Sequence, residues 1–198
     1  MANDDLARQA VVGGIRNADR TRRAVLDAAG RLLADKGVSI SLKEVADAAG
    51  VSKSGLLYHF SSRDELLLAV VQDINEQFRN TALKRLDLSE NYPGKMLRAY
   101  VRTLCDESGS ELLRFFAPSL LWSGMLHIPG ASAEMEADEK WWDDQFNIDG
   151  FDPEIAHIIC RFAEGVAAAS ALNEDTPEQI ERARTMLLAM TEDPKNFL

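Results

Sequence analysis

The sequence predicts an all-α protein: an N-terminal three-helix domain with a helix-turn-helix, followed by a larger helical domain, about nine helices in all. Three observations predict it. Apolar residues recur at three- and four-residue spacing along most of the chain, no segment alternates as a half-buried strand does, and Ser, Thr or Asp caps precede the periodic stretches.

Composition narrows the class. The 198 residues are 46% hydrophobic and 27% charged, ordinary for a chain that folds around its own core. No apolar run approaches the roughly 18 residues of a membrane span, and the opening MANDDLARQ lacks a signal-peptide apolar stretch, so a cytoplasmic protein without a membrane partner is expected. Cys105 and Cys160 stand alone, outside any CxxC or Cys/His spacing, and read as small buried hydrophobes; no metal or cofactor is expected. The net charge of −10 is unevenly divided. From Arg8 to Arg63 ten Lys/Arg face five Asp/Glu, a balance of +5, whereas from Asp64 to Leu198 twelve face twenty-five, a balance of −13. A basic head on an acidic body attracts phosphate to one end and orients it there.

Residues 1–18 contain Gly13-Gly14 and no sustained periodicity, and read as a flexible lead-in; Arg8 and Arg16 are either solvated or part of an arm toward DNA. The next unit spans 19–65. Its first helix, Arg20 to Lys36, buries Val25, Ala28, Ala29, Leu32 and Leu33 and stops at Gly37. Arg20, Arg22 and Arg23 sit at its opening, where a helix crossing a DNA backbone needs cations.

The stretch SLKEVADAAGVSKSGLLYHF, Ser41 to Phe60, is two short helices joined by a glycine turn. Ser41 and Glu44 form a capping box, Leu42, Val45, Ala46 and Ala49 make the apolar stripe, and Gly50 can take the left-handed conformation that ends the helix. Ser52 caps the second helix, in which Val51, Leu56 and Phe60 face inward. Its other residues are small or hydrogen-bonding types suited to base edges and phosphates. Two readings fit this spacing, a DNA-reading pair or an ordinary bundle pair.

From Thr21 to about Leu68, covering about a quarter of the chain, the sequence resembles the N-terminal domain of the TetR family of bacterial transcriptional regulators: a basic-led helix ending in ADKG, the stretch just quoted, then SSRDELL. The resemblance implies a DNA-facing set of Arg22, Ser41, Lys43, Ser52, Lys53, Ser54, Gly55, Leu57, Tyr58, His59 and Arg63. Many members place Leu-Tyr directly after a glycine and a small polar residue. Here the order is Ser54, Gly55, Leu56, Leu57, so Tyr58 falls one place later and Leu57 offers an apolar contact in place of the family's tyrosine–phosphate contact.

The body spans 66–198. Ser62 and Glu65 start a helix running to about Leu86; the polar break SENYP precedes one from Gly94 to Glu107; Leu112–Met125 is kinked or divided by Pro118; Ala133–Phe146 is acidic with an aromatic underside. Asp152-Pro153 and Thr176-Pro177 open the last two helices. The resemblance implies that these two pair with a second copy as a four-helix bundle, with Ile158, Phe162, Val166, Ala169, Ile180 and Leu187 at the interface. A two-fold dimer also suits one helix-turn-helix per half-site of a palindromic double-stranded operator. The middle helices are, by the same resemblance, the chamber for a small hydrophobic effector, lined by Tyr100, Leu104, Phe115, Phe116, Trp122, Met125, His127, Trp141 and Phe162. Each of these side chains equally suits plain core packing.

The expected function is a ligand-responsive DNA-binding repressor acting as a homodimer. The rivals are a helical adaptor that binds proteins through its acidic body, which the charge split disfavours, and an enzyme, for which no nucleophile elbow, phosphate loop or metal spacing is present in the sequence.

Overall fold

The structure, a computed structural model, describes the backbone of residues 2–105 and 125–193, with side chains from residue 17 onward. Eight helices and no strand occur among the described residues: α1 Ala2–Lys36, α2 Leu42–Ala49, α3 Lys53–His59, α4 Arg63–Lys84, α5 Lys95–Leu104, α6 Ala131–Ile148, α7 Pro153–Ala171 and α8 Pro177–Glu192. Most of the helix expected over Leu112–Met125 lies outside the described residues, so the expected nine and the eight described do not conflict.

The caps act where local chemistry places them. Ser41 and Glu44 close a reciprocal box at α2, and Thr176 and Gln179 do the same at α8. Asp152 accepts from the amides of Glu154 and Ile155 ahead of Pro153. One boundary differs strongly from expectation: α1 begins at Ala2, eighteen residues before Arg20. The apolar stripe marks only the part of a helix that is buried, and glycine costs about 1 kcal/mol in a helix interior, which strong helix formers such as Ala7, Arg8 and Gln9 offset. Gly94, at φ 91°, is the N-cap of α5, one residue after Pro93.

Two cores result. Val25, Ala29 and Leu33 of α1, Val45, Leu56, Phe60 and the first half of α4 (Leu66 to Ile74) form one, closed by Met125, Ile128 and Ala131. The second joins Phe78 and Ala82 of α4 to Leu97, Tyr100, Val101 and Leu104 of α5, Trp142 and Phe146 of α6, Ile159 and Ala163 of α7, and Ile180 and Leu187 of α8. Helix α4 therefore belongs to both. It is also ion-paired to each side: at its middle Asp73 accepts from both terminal guanidinium nitrogens of Arg23 at 2.5 Å, and further along Arg79 pairs with Asp138 on α6. Arg23 is thus held on α4 rather than offered to a phosphate, and its guanidinium is pushed further up by the hydrogen bond to Asp73.

Candidate functional site

Gly50 closes α2 at φ 67°, where it has no neighbour for a side chain to meet but a backbone that L residues resist. Ser52 then accepts from the amide of Gly55 at 3.0 Å and starts α3. Leu56 and Phe60 are buried beneath it, which fixes the rotation of the helix and turns Lys53, Ser54, Leu57 and Tyr58 outward. Tyr58 is 82% exposed, and packing within the chain does not account for an aromatic ring held so far out. His59 stacks edge-on against it at 5.2 Å, and the exposed Arg22 guanidinium lies 5.3 Å from the Phe60 ring, at the edge of the same face.

The expected DNA-facing residues divide into three kinds. Ser41 and Ser52 are caps, Gly55 leaves room for the Ser52 hydroxyl, and Lys43 is exposed but hydrogen-bonded to Asp47 at 2.8 Å. Lys53, Ser54, Leu57 and Tyr58 are outward on α3. Arg63 is different. Its Nε donates to the Ile40 carbonyl at 2.8 Å and its Nη2 to the Val38 carbonyl, so it ties the α1–α2 loop to the start of α4.

Equal effects at Lys53 and Arg63 are therefore not expected. Lys53→Ala should weaken random and selected DNA by similar factors and lower the salt slope by roughly one, because a lost phosphate contact releases fewer counterions. Arg63→Ala should instead lower the melting temperature, leaving the Val38 and Ile40 carbonyls without their donor. Salt titrations of DNA affinity alongside thermal melts separate the two; a changed slope with an unchanged melt for Arg63→Ala would return it to the phosphate set.

In the body a cavity of about 540 Å³ opens between α4, α5, α6 and α7. Phe78, Tyr100, Trp142 and Phe146 form its aromatic wall, with ring centroids 4.8 to 5.8 Å apart. Among the described residues, five carboxylates, Glu136, Asp138, Glu139, Asp143 and Glu164, line it beside one arginine, Arg161. The Tyr100 hydroxyl donates to Glu164 at 2.9 Å, and Arg161 bridges Glu164 and Glu139 at 2.8 and 3.0 Å. Burial lifts Tyr100 well above the usual phenol range, so it stays a neutral donor. Burial also raises the Asp138 carboxyl, with the charge of Arg79 working in the opposite direction. Rings with electron-rich faces and a surplus of carboxylates select against anions and suit an apolar cation.

Of the expected chamber residues, Tyr100 lines this cavity. Leu104 is fully buried in the body core and Met125 in the head core, so filling either position overpacks a core and leaves the cavity unchanged. His127 is exposed, Trp141 packs under Arg79 at 4.7 Å, and Phe162 is 61% exposed on the outer face of α7. Phe115, Phe116 and Trp122 lie outside the described residues. Phe78, Trp142, Phe146 and the carboxylates were missed. The signal for Trp142 was its place four residues after Asp138, which puts ring and carboxylate on one helix face.

The expected interface residues also separate. Ile180 and Leu187 are buried in the chain's own core, because the apolar stripe of α8 turns inward. On α7 the inward residues are Ala156, Ile159, Cys160, Ala163 and Ala167, while Ile158 and Phe162 point out and Val166 and Ala169 are half-buried. Outward apolar residues continue at Leu172 and at Met186 of α8.

An exposed, glycine-turned recognition helix ahead of a body that is helical throughout its described elements and holds a cavity between them defines a helix-turn-helix transcriptional regulator. Residues 25–70 match the bacterial regulatory proteins of the tetR family, and residues 94–192 match the tetracyclin repressor-like C-terminal domain; the chain belongs to the TetR family. The HTH-type transcriptional repressor LfrR of Mycolicibacterium smegmatis is 34% identical over 103 residues, 52% of this chain and 53% of LfrR. The match thus spans about half of that relative. A TetR-family regulator from Rhodococcus sp. shares the fold with a TM-score of 0.71 at 20% identity, covering 87% of this chain and 97% of that one. The multidrug binding protein EbrR, solved with ethidium, does so with a TM-score of 0.60 at 23% identity, covering 86% and 97%. At these identities the likeness is one of fold.

Proposed function

We propose that this chain is a homodimeric repressor, cytoplasmic where its DNA is, that leaves a palindromic operator when an apolar cation fills the body cavity. Residues 19–65 act as the reading head and residues 66–198 as the sensing and pairing body, with the N-terminal turns of α1 ahead of them. Lys53, Ser54, Leu57 and Tyr58 meet the major groove, and Arg22 and Lys43 flank it. The observation that carries the reading is the course of α4. Three residues separate it from the end of the recognition helix, and about three to four turns further on Asn75 and Phe78 form part of the cavity wall. A ligand that shifts α4 therefore shifts α3, and the two heads of a dimer no longer meet both half-sites. LfrR, a repressor, and EbrR, which binds ethidium, support the same reading by analogy. The outer stripe of α7 supplies the second half of the dimer argument.

The test is capture of genomic fragments on the purified protein, then titration with tetraphenylphosphonium, an apolar cation that does not intercalate. Captured fragments should share an inverted repeat. The cation should quench tryptophan fluorescence and release DNA over the same concentration range, and bound operator should weaken the cation by the factor that the cation weakens operator. Quenching that never alters DNA binding would sink the effector half of the proposal.

A further inference from the structure

The face of α4 turned to α6 carries Gln72, Asn75 and Arg79, spaced three and four residues apart, and the face of α6 that meets it carries Glu134, Asp138 and Trp141. Gln72 donates to Glu134 at 3.2 Å near the surface. Deeper in, Arg79 Nε donates to Asp138 Oδ1 at 2.6 Å while the guanidinium lies over Trp141 at 4.7 Å. The Asp138 and Arg79 side chains are 19% and 26% exposed, so the pair is shielded without being sealed. Asp138 also borders the cavity, alongside Trp142; Arg79 does not. Between these two contacts the Asn75 amide nitrogen is buried at the cavity wall with no acceptor among the described residues.

We propose that Asp138 is a counter-ion switch: an apolar cation in the cavity takes Asp138 from Arg79 and so unlatches α4 from α6. The inference rests on the effector reading above and adds the residue that senses charge. Removing Arg79 with nothing in its place would leave a shielded carboxylate unpaired, which is strongly unfavourable. A cation arriving from the cavity side removes that obstacle, since Asp138 keeps a positive partner throughout. Arg79, already partly exposed, can then turn to water. Asn75 presents a donor beside Asp138 for a hydrogen-bond acceptor on the same ligand. A neutral ligand of equal size fills the cavity but cannot displace Arg79, so it binds without unlatching α4. Discrimination between cation and neutral isostere therefore lies in the response as well as in the affinity.

The switch makes Arg79 a competitor of the ligand, and competition has a signature that support of the cavity does not. In calorimetric titration without DNA, Arg79→Met should bind tetraphenylphosphonium about tenfold more tightly than the wild type, a gain of about 1.4 kcal/mol. Affinity for the neutral triphenylphosphine oxide should stay within about twofold. Asp138→Asn should weaken the cation about tenfold, spare the neutral compound, and abolish the effect of Arg79→Met in the double variant. Arg79→Gln, which keeps one hydrogen bond to Asp138, carries the same expectation should Arg79→Met fail to fold. Equal or weaker cation binding by both Arg79 variants overturns the switch while leaving the effector cavity standing. Absence of cation binding to the wild type and to every variant overturns the cavity reading itself, and the switch with it.

Discussion

Phe162→Glu should convert the protein to a monomer and weaken operator binding by about 10²–10⁴-fold, the factor by which two linked binding modules exceed one. The argument starts from exposure. Ile158, Phe162 and Leu172 are 42%, 61% and 53% exposed on one chain, and with Gly165 and Ala169 they follow steps of four, three, four and three residues along α7. Such a stripe lies along one side of a helix, and Met186, 60% exposed on α8, extends the exposed apolar surface of the last two helices. Water-facing apolar residues so arranged mark an interface, and a two-fold pairing of the stripe with its copy covers it without leaving an open end. A glutamate at its centre would be an unpaired charge, costing several kcal/mol in the dimer and almost nothing in the separated chain. Sedimentation equilibrium should show monomers with unchanged helical circular dichroism. Leu187→Glu is the contrast: that side chain is 5% exposed within the chain, so its loss should appear as unfolding. Dimers persisting in Phe162→Glu would move the interface off α7.

The difference between Phe162 and Leu187 also marks how far the sequence could be read. The caps of α2, α3, α7 and α8, the glycine turn and the inward set of α3 were readable because each depends on residues within about four positions of one another. Amphipathic spacing identifies that a helix has an apolar side; it does not say whether a second apolar side is covered by the chain or by another copy. On α7 both sides are apolar, so Ile158 and Ile159, adjacent in sequence, end up outside and inside. The cavity was harder still. Its wall combines residues from Asn75 to Glu164, and its charge character depends on Arg79 meeting Asp138 across 59 positions. Large apolar side chains mark Tyr100, whereas the carboxylates read as a solvated face until their neighbours are known. The long α1 was misplaced for the opposite reason, since its N-terminal part carries helix-forming residues without an apolar stripe.

Glu90→Ala should lower stability by about 3–5 kcal/mol, a large share of the 5–15 kcal/mol that holds a domain folded. Arg98 is 1% exposed beneath the α4–α5 connection, and the chain wraps around its guanidinium. Nε meets Glu90 at 2.5 Å, Nη1 and Nη2 donate to the carbonyls of Pro93 and Tyr92 at 3.0 and 3.3 Å, and the Tyr92 ring lies 4.1 Å away. The other Glu90 oxygen takes Arg102 at 2.6 Å. Gly94 belongs to the same arrangement, since a Cβ there would stand 2.9 Å from Arg98 Nη1. Removing the carboxylate leaves a buried guanidinium with two neutral carbonyls and the Tyr92 ring but no counter-charge, and for a chain of this size each kcal/mol shifts the melting temperature by about 2–4 °C. Acid should act in the same direction. Burial raises the Glu90 carboxyl, but hydrogen bonds and charge from Arg102 and Arg98 outweigh it and hold the group below the usual carboxylate range. Its contribution is therefore complete above the unfolded value, near pH ~4.3, and is lost as pH falls through the lower folded one. Glu90→Gln imitates the protonated form. Its deficit against the wild type should be full at pH 7 and should shrink as both are taken below about pH 4. Chemical denaturation across that range is the measurement, and a deficit independent of pH would mean that the loop depends on the shape of Glu90 and not on its charge.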